Sequence, residues 1–586
     1  MSVSRFINIA TVVRQVTLGM RPRVAAGVKR SALAPLVMGA TLLLRQPGQY
    51  WRYRTDLANW RRQARQAFGS AACVGDSSLE HVLFVETIGD IYEAKLIAML
   101  AAPLIARGWQ VSVLSRRFRF WSRLYLQSAG ITRMIFWEDF QLDPADREQA
   151  QRAGAALEIP SHFTLARLKR LSYQGIAVGS QLIGMASRIL RQGRLDLTDA
   201  HTQATIRSCM DLAIENVFLA RHVMASIAPT KMVLIEANYN YGAVVDTAIS
   251  SGVDVIQFCQ PSRDDALIFK RLTQITRRHH PNSLSPDSLA KLRSQPWLDE
   301  MEARLAQEFR DRYGGRWLLQ ERNQQGVQEQ SLEELRAELR LQTDKKVAVV
   351  FSHVLWDANL FYGEDLFEDF GEWFIETVKA ACQNTSIEWL VKLHPANVWK
   401  GKLENITSEL AELRMIREQI GNLPPHVRLI LPSSRLSTWS LFQLADFGVT
   451  VRGTTGIEMP CLGIRTLTAG TGRYSGLGFT DDSPDRDTYL RKLTQLHTLP
   501  GMTANEILAA KQHAFGIFAL RPWLMKSFRL EHDKAMTSRG ALNLINNLHF
   551  VRHDTDLSAW VAWLCQQDRL DYLDEDEFAR VRERLI

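Results

Sequence analysis

Four groups of residues in the second half of the chain have the types and spacing to hold an anion. They are the pair His394-Pro395, Arg452 with the turn Gly453-Thr454-Thr455-Gly456, Glu458, and Arg473-Tyr474 in the glycine-rich stretch TAGTGRYSGLG. Residues 447–451 form a short β-rich run, and the turn leads them into a helix whose first amides have no carbonyl partner within the helix. Such an end attracts phosphate. Arg452 and Arg473 supply two cations nearby, suited to charge-assisted hydrogen bonds. Glu458, in the helix's first turns, can accept from sugar hydroxyls, and the glycine-rich loop can close over a ligand. Each group also has a plainer use: glycine and threonine suit turns and caps, a first-turn glutamate complements the helix dipole, and a histidine before proline can cap a turn. A nucleotide-linked substrate fits the set.

Two further stretches carry groups for acid-base work. Residues 352–365, SHVLWDANLFYGED, gather His353, Asp357, Glu364 and Asp365 among Trp356, Phe361 and Tyr362. Residues 86–90, ETIGD, leave the first apolar run of the chain, and a carboxylate there can take a proton from a hydroxyl. Asp90 is the leading candidate, with Asp357 and Glu86 in reserve and Glu236 weaker. An aspartate before a helix is equally an N-cap. The pair His279-His280 has no metal-ligand spacing partners and reads as surface.

The elements that must position these groups alternate regularly. Residues 347–352 (VAVVFS), 387–393 (IEWLVKL), 427–431 and 447–451 are short apolar runs separated by amphipathic helical patterns, which indicates a parallel, doubly wound sheet. In such sheets ligands bind beyond the carboxyl ends of the strands, where His394, residues 453–455 and residues 471–474 all fall. The first half repeats the scheme with strands at 81–87, 110–114, 232–237 and 253–259 and helices at 91–107 and 241–250. The expected fold class is therefore α/β, with two Rossmann-like domains facing a cleft. The expected boundaries are a basic extension over 1–75, a first domain over 80–275, a helical connection over 281–344, a second domain over 345–520 and a helical tail over 521–586, in which Trp523, Trp560 and Trp563 are packing residues.

Length agrees with this count, because 586 residues exceed one ordinary core at roughly 100 to 200 residues per domain. The six cysteines are scattered without a CxxC pair, which argues for reduced thiols and against structural zinc. The net charge of +8 is concentrated at one end: residues 1–70 hold twelve Lys or Arg and one acid, Asp56, so the remainder sums to −3. There the apolar run 31–44 lies between basic residues and is followed by Tyr50, Trp51, Tyr53 and Trp60 interleaved with arginines. At 14 residues with Pro35 inside, the run is short of the roughly 20 needed to cross a bilayer. A segment lying on an anionic membrane surface fits better, and a secretory signal or a nucleic-acid partner fits poorly.

The stretches VKLHP, RGTTGIEMPCLGI and TAGTGRYSGLGFTDD resemble the capsule-polysaccharide biosynthesis group, which includes bacterial transferases of Kdo (3-deoxy-manno-octulosonic acid), and more broadly glycosyltransferases of the GT-B architecture. The similarity is specific over 347–493 and architectural over 81–260. It implies a nucleotide-sugar donor on the second domain, as a substrate with no other cofactor and no metal, and a glycan or glycolipid acceptor on the first. Carried over, His394 contacts the donor phosphate, Thr454 and Thr455 hold it, and Glu458 binds ribose, with Gly453, Arg452, Arg473, Tyr474 and His353 around them. The chain departs from the capsular enzymes in GTTGIE and in RYSGLG. The reading is a cytoplasmic, peripheral glycosyltransferase of surface-polysaccharide synthesis. A transferase of glycerol phosphate from a CDP-linked carrier and a non-catalytic capsule assembly protein are the alternatives.

Overall fold

The computed structural model describes residues 34–68, 80–140, 142, 144–156, 164–317, 326–327, 329–357, 360–404, 408–531, 541–544 and 556–583. The chain divides into two compact units. The first takes the described residues up to Ala156, Asp211–Gln274 and Trp523–Tyr572; the second takes those of Leu157–Met210, Ile275–Pro522 and the residues from Leu573. Each is thus assembled from separated stretches, where the sequence suggests contiguous blocks.

Along the chain the strands are β1 (His81–Val85), β2 (Gln110–Ser115), β3 (Met134–Phe136), a short hairpin of β4 (Ser172–Tyr173) and β5 (Ile176–Ala177), β6 (Lys231–Leu234), β7 (Asp254–Cys259), β8 (Ala266–Leu272), β9 (Val347–Phe351), β10 (Glu388–Lys392), β11 (Val427–Ile430), β12 (Phe447–Thr450), β13 (Arg465–Thr468), β14 (Asp481–Asp482), β15 (Trp523–Leu524), β16 (Phe528–Glu531) and β17 (Ala541–Leu544). In the first unit the sheet order is β3-β2-β1-β6-β7-β8-β15, parallel up to β7, with β8 and β15 antiparallel to their neighbours. In the second it is β11-β10-β9-β12-β13-β14, parallel throughout. Counted within each sheet, both begin 3-2-1-4-5, the doubly wound Rossmann order. The winding reverses between β1 and β6 in one unit and between β9 and β12 in the other, and ligands of such sheets bind at that reversal.

The residues make these elements for ordinary reasons. Every residue of β1 (HVLFV) and β9 (VAVVF) is buried, as strands covered by helices on both faces must be. Helix starts are marked by capping carboxylates and hydroxyls: Asp369 accepts from Glu372 N–H at 2.7 Å, and Thr503 and Glu506 form a reciprocal capping box. The described cysteines, Cys209, Cys259, Cys382, Cys461 and Cys565, are free.

Described residues toward both ends of the chain enter the core of the first unit. In helix Pro47–Phe68, Leu57, Trp60 and Ala64 join the apolar cluster of the first unit, and Trp60 Nε1–H donates to Tyr125 O at 3.1 Å. Asp56 accepts from Lys95 and from Tyr125 Oη–H at 2.5 Å, so the helix is a structural layer of that unit. The tail contains strands as well as helices: β15 pairs with β8, and Trp523, Trp560 and Trp563 surround Phe269 at centroid distances of 5.3, 4.4 and 5.8 Å. None of the described helices is long and apolar enough to cross a membrane.

Candidate functional site

The loops leaving β9, β10, β12 and β13 of the second unit hold most of the residues singled out above. His353 follows β9 and stacks on Phe370 at 4.6 Å; its Nε2 lies 3.2 Å from Thr450 Oγ1 and accepts from Val451 N–H at 3.4 Å, so Nδ1 carries the hydrogen. Burial, with His394, Arg452 and Arg473 nearby, holds this imidazole well below its ordinary value, hence neutral. Arg452 forms an ion pair with Asp365. Arg473 donates from Nη1 to Arg452 O at 3.0 Å and from Nη2 to Thr454 Oγ1 at 3.2 Å, and Tyr474 Oη–H donates to Gly453 O at 2.8 Å. The loop after β9 is tied to the glycine-rich loop by Thr471 N–H to Glu364 O and Glu364 N–H to Thr471 Oγ1, each 2.8 Å.

Charge does not balance in this cluster. Arg452 has Asp365, but Arg473 has no carboxylate at ion-pair distance among the described residues, and burial pushes its guanidinium down to about 10. Arg473 Nε, Arg452 Nε and Nη1, and Thr455 Oγ1 are buried with no hydrogen-bond partner among the described residues. Buried donors are normally satisfied. Four unsatisfied donors, three of them on cations, at the reversal of a doubly wound sheet have the chemistry to receive an anion.

Helix Thr455–Cys461 contributes less than its sequence suggests. It is seven residues long, its cap Thr454 is itself in helical conformation, and Gly456 and Ile457 N–H already donate to Gly453 O and Thr454 O at 3.0 and 2.9 Å. Gly456 is required here, because a Cβ at that position would lie 2.0 Å from Tyr474 Oη. Gly456→Ala is expected to displace Tyr474 from Gly453 O and to lower stability by about 1 to 3 kcal/mol, read by thermal denaturation.

His394 stands at the end of β10. Its N–H donates to Ser352 Oγ at 2.9 Å, and its Nδ1 accepts from Ala396 N–H at 3.1 Å. That leaves the hydrogen on Nε2. Burial and the cations Lys400 and Lys392 hold the ring at about 4, so it is neutral at physiological pH. Lys392, buried and pushed down to about 8 by that burial, donates to Leu436 O at 3.2 Å. Asp357 forms an ion pair with Lys400; burial opposes its ionisation, but Lys400 and Arg188 hold its carboxyl well below the usual carboxylate range. A carboxylate so stabilised is a poor base. Glu458 is fully buried, accepting from Tyr313 Oη–H at 2.7 Å and paired with Arg312 Nε at 2.6 Å. Both oxygens are therefore engaged by helix Asp299–Tyr313, a set of partners different from the ribose hydroxyls expected of it.

The reversal in the first unit has the opposite charge. Glu86 follows β1, wholly buried, with Ser115 Oγ–H donating to it, Arg119 Nη1 at 3.5 Å and one oxygen unpartnered among the described residues. Beside it Glu93 accepts from Thr87 N–H, Thr87 Oγ1–H, Ile88 N–H and Gly89 N–H at 2.6 to 2.8 Å. Burial and the charge of Glu86 push Glu93 up to about 7. The amide cradle at this reversal is filled by the protein's own Glu93 side chain. Gly89 has φ +76° and a Cβ there would meet Arg119 Nε at 2.3 Å, so the loop needs glycine on both counts. Asp90 caps helix Ile91–Ile105, accepting from Glu93 N–H at 2.8 Å, and is half-buried.

The structure thus gathers His353, Arg452, Gly453, Thr454, Thr455, Arg473 and Tyr474 at one sheet edge. It places Asp357 against Lys400, Glu458 against Arg312, and Glu86 and Asp90 in the first unit. Residues that sequence reasoning missed are Glu93, Arg119, Asp365 as the partner of Arg452, Lys400 and Arg312. Only Glu93 had a signal, the spacing Asp-x-x-Glu at a helix start.

No protein-family model matches the chain, and no curated protein matches it. Solved structures do. Over 54% of this chain and 88% of the other, it is 14% identical to Thermosulfurimonas dismutans KpsC, beta Kdo 2,7 transferase, with a TM-score of 0.28. With the UDP-GlcNAc 2-epimerase from Neisseria meningitidis bound to UDP-GlcNAc it shares 12% identity over 75% and 96% of the two chains, at a TM-score of 0.26. With the spinosyn rhamnosyltransferase SpnG the identity is 11% over 75% and 95%, at 0.24. At these scores the likeness carries no argument about chemistry, which rests on the residues above.

Proposed function

We propose that the chain is a glycosyltransferase of capsule or other surface-polysaccharide synthesis. It transfers a sugar from a nucleotide-activated donor to a membrane-held glycan acceptor at the inner face of the cytoplasmic membrane. The observation that carries the reading is the buried polar cluster of the second unit, where Arg473 has no carboxylate at ion-pair distance and Arg452, Arg473 and Thr455 have donors without hydrogen-bond partners among the described residues. A donor phosphate supplies both the charge and the acceptors, and such a site stabilises a leaving phosphate as its bond to the sugar breaks. His394 adds a neutral Nε2–H donor. For the acceptor proton we favour Asp90, because Glu86 is wholly buried and Asp357 is held ionised by Lys400. A CDP-linked glycerol phosphate donor would use the same cluster and is the second reading.

A thermal-shift panel of CMP, CDP, UDP, GDP, their sugar conjugates and CDP-glycerol tests the proposal, since a ligand bound only by the folded state raises the midpoint. At least one nucleotide sugar should raise it more than its free nucleotide. His394→Ala should weaken that ligand by about 1.5 to 3 kcal/mol, tenfold or more in affinity. A response to CDP-glycerol alone favours the second reading, and no response from any nucleotide favours a non-catalytic assembly protein.

A further inference from the structure

We infer that helix Pro47–Phe68 and the end of helix Ala34–Arg45 form a fixed docking face for an anionic lipid surface, built onto the first unit. The inference rests on the peripheral-membrane part of the function proposed above and goes further, naming the face and its mode of attachment. Residues 50, 53, 57, 60 and 64, spaced by three and four, turn inward and are buried or half-buried, whereas Trp51, Arg52, Arg54, Arg61 and Arg62 are exposed. Asp56, the one acid among residues 1–70, is half-buried and bound by Lys95 at 2.8 Å and by Tyr125. The exposed charges of helix Pro47–Phe68 are therefore all cationic.

It is also apolar in the right places. Leu44 is 81% exposed and Trp51 56%, and the Arg54 guanidinium lies 5.5 Å from the Trp51 ring centroid. A cationic face with an exposed tryptophan and leucine suits the headgroup region, where apolar side chains enter the acyl boundary and arginines meet lipid phosphates. A nucleic acid would engage the arginines but leave Leu44 and Trp51 in water. Because Trp60 and Leu57 belong to the core of the unit, the face is held in one orientation on the domain. It cannot be removed without opening that core.

The test therefore uses exposed substitutions in the full chain. Sedimentation with phosphatidylcholine vesicles, with and without phosphatidylglycerol, should show at least tenfold tighter binding to the anionic vesicles, weakened by salt. Combining Arg52→Gln, Arg54→Gln, Arg61→Gln and Arg62→Gln should reduce that binding about a hundredfold or more, and combining Leu44→Ser with Trp51→Ala should reduce it about tenfold. The inference is overturned if the native chain binds both vesicles equally, if the four-arginine variant binds like the native chain, or if a DNA duplex binds more tightly than the anionic vesicles. Nucleotide thermal shifts on the same variants separate the two readings. Lost vesicle binding with an intact nucleotide shift supports this face, and a missing nucleotide shift in the native chain counts against the proposed activity alone.

Discussion

Arg473→Met is expected to cost the second unit its nucleotide affinity while leaving the ligand-free protein about as stable as the parent. Most buried residues behave in the opposite way, because their removal opens a cavity or strands a partner. Arg473 is different because its charge is buried without a carboxylate at ion-pair distance among the described residues, and that desolvation is paid in the ligand-free state. Methionine fills similar volume without the charge. Two hydrogen bonds are lost, to Arg452 O and Thr454 Oγ1, at about 1 kcal/mol each, against relief of a desolvation cost of comparable size. The ligand-free midpoint should therefore move by only about 3 °C or less. Loss of a charge-assisted bond to phosphate should weaken binding by about 1.5 to 3 kcal/mol, tenfold to more than a hundredfold. Arg473→Lys should recover the charge and not the planar fork, giving intermediate affinity. Melting curves and titration calorimetry with the best nucleotide of the panel decide the matter. A large fall in ligand-free stability with unchanged affinity would make Arg473 a strut between the turn and its loop.

The strands and their parallel winding were legible because β1 and β9 are buried apolar runs of five residues, short for a helix and rich in valine and phenylalanine. The turn at residues 453–456 was legible too, since glycine and threonine after a strand are a local signal. Ion-pair partners were not. Arg312 lies far from Glu458 in sequence and meets it only because helix Asp299–Tyr313 packs in the second unit. Nothing local in the sequence separates a carboxylate facing a ligand from one facing an arginine. The division into units was hidden for a related reason: residues 164–210 have ordinary helical patterns, and only long-range contacts such as the packing of Gly184 against Phe361 assign them to the second unit. The basic amino-terminal segment reads by composition as an extension lying on a membrane surface. Its inward stripe of Leu57, Trp60 and Ala64 also joins it to the core.

The contrast between the two sheet reversals yields the other large effect, in the first unit. Glu93 satisfies three backbone N–H groups and the Thr87 hydroxyl, so Glu93→Ala should leave several buried donors unpaired, at about 1 to 3 kcal/mol each. A fall in stability of about 3 to 6 kcal/mol is expected, partly reversed by formate, which fits the vacated cradle as a small carboxylate. The wild-type chain should also show a distinctive pH dependence. Glu93 is raised from an ordinary 4.5 to about 7 by burial first and by the charge of Glu86 second, so the folded unit binds its proton more tightly than the unfolded chain does. Its contribution is then fully present below about pH 4.5 and is lost as the pH rises through about 7, the reverse of an ordinary salt-bridged carboxylate. Glu86→Gln removes the neighbouring charge and should flatten this slope. Hydrogen-exchange protection of the segment 81–105, corrected for intrinsic rates and compared between pH 5 and pH 8, reads both effects. Protection that is independent of pH in the wild type, together with a Glu93→Ala variant within about 1 kcal/mol of it, would mean that the cradle is not held by this carboxylate, and the first unit would then have an anion site of its own.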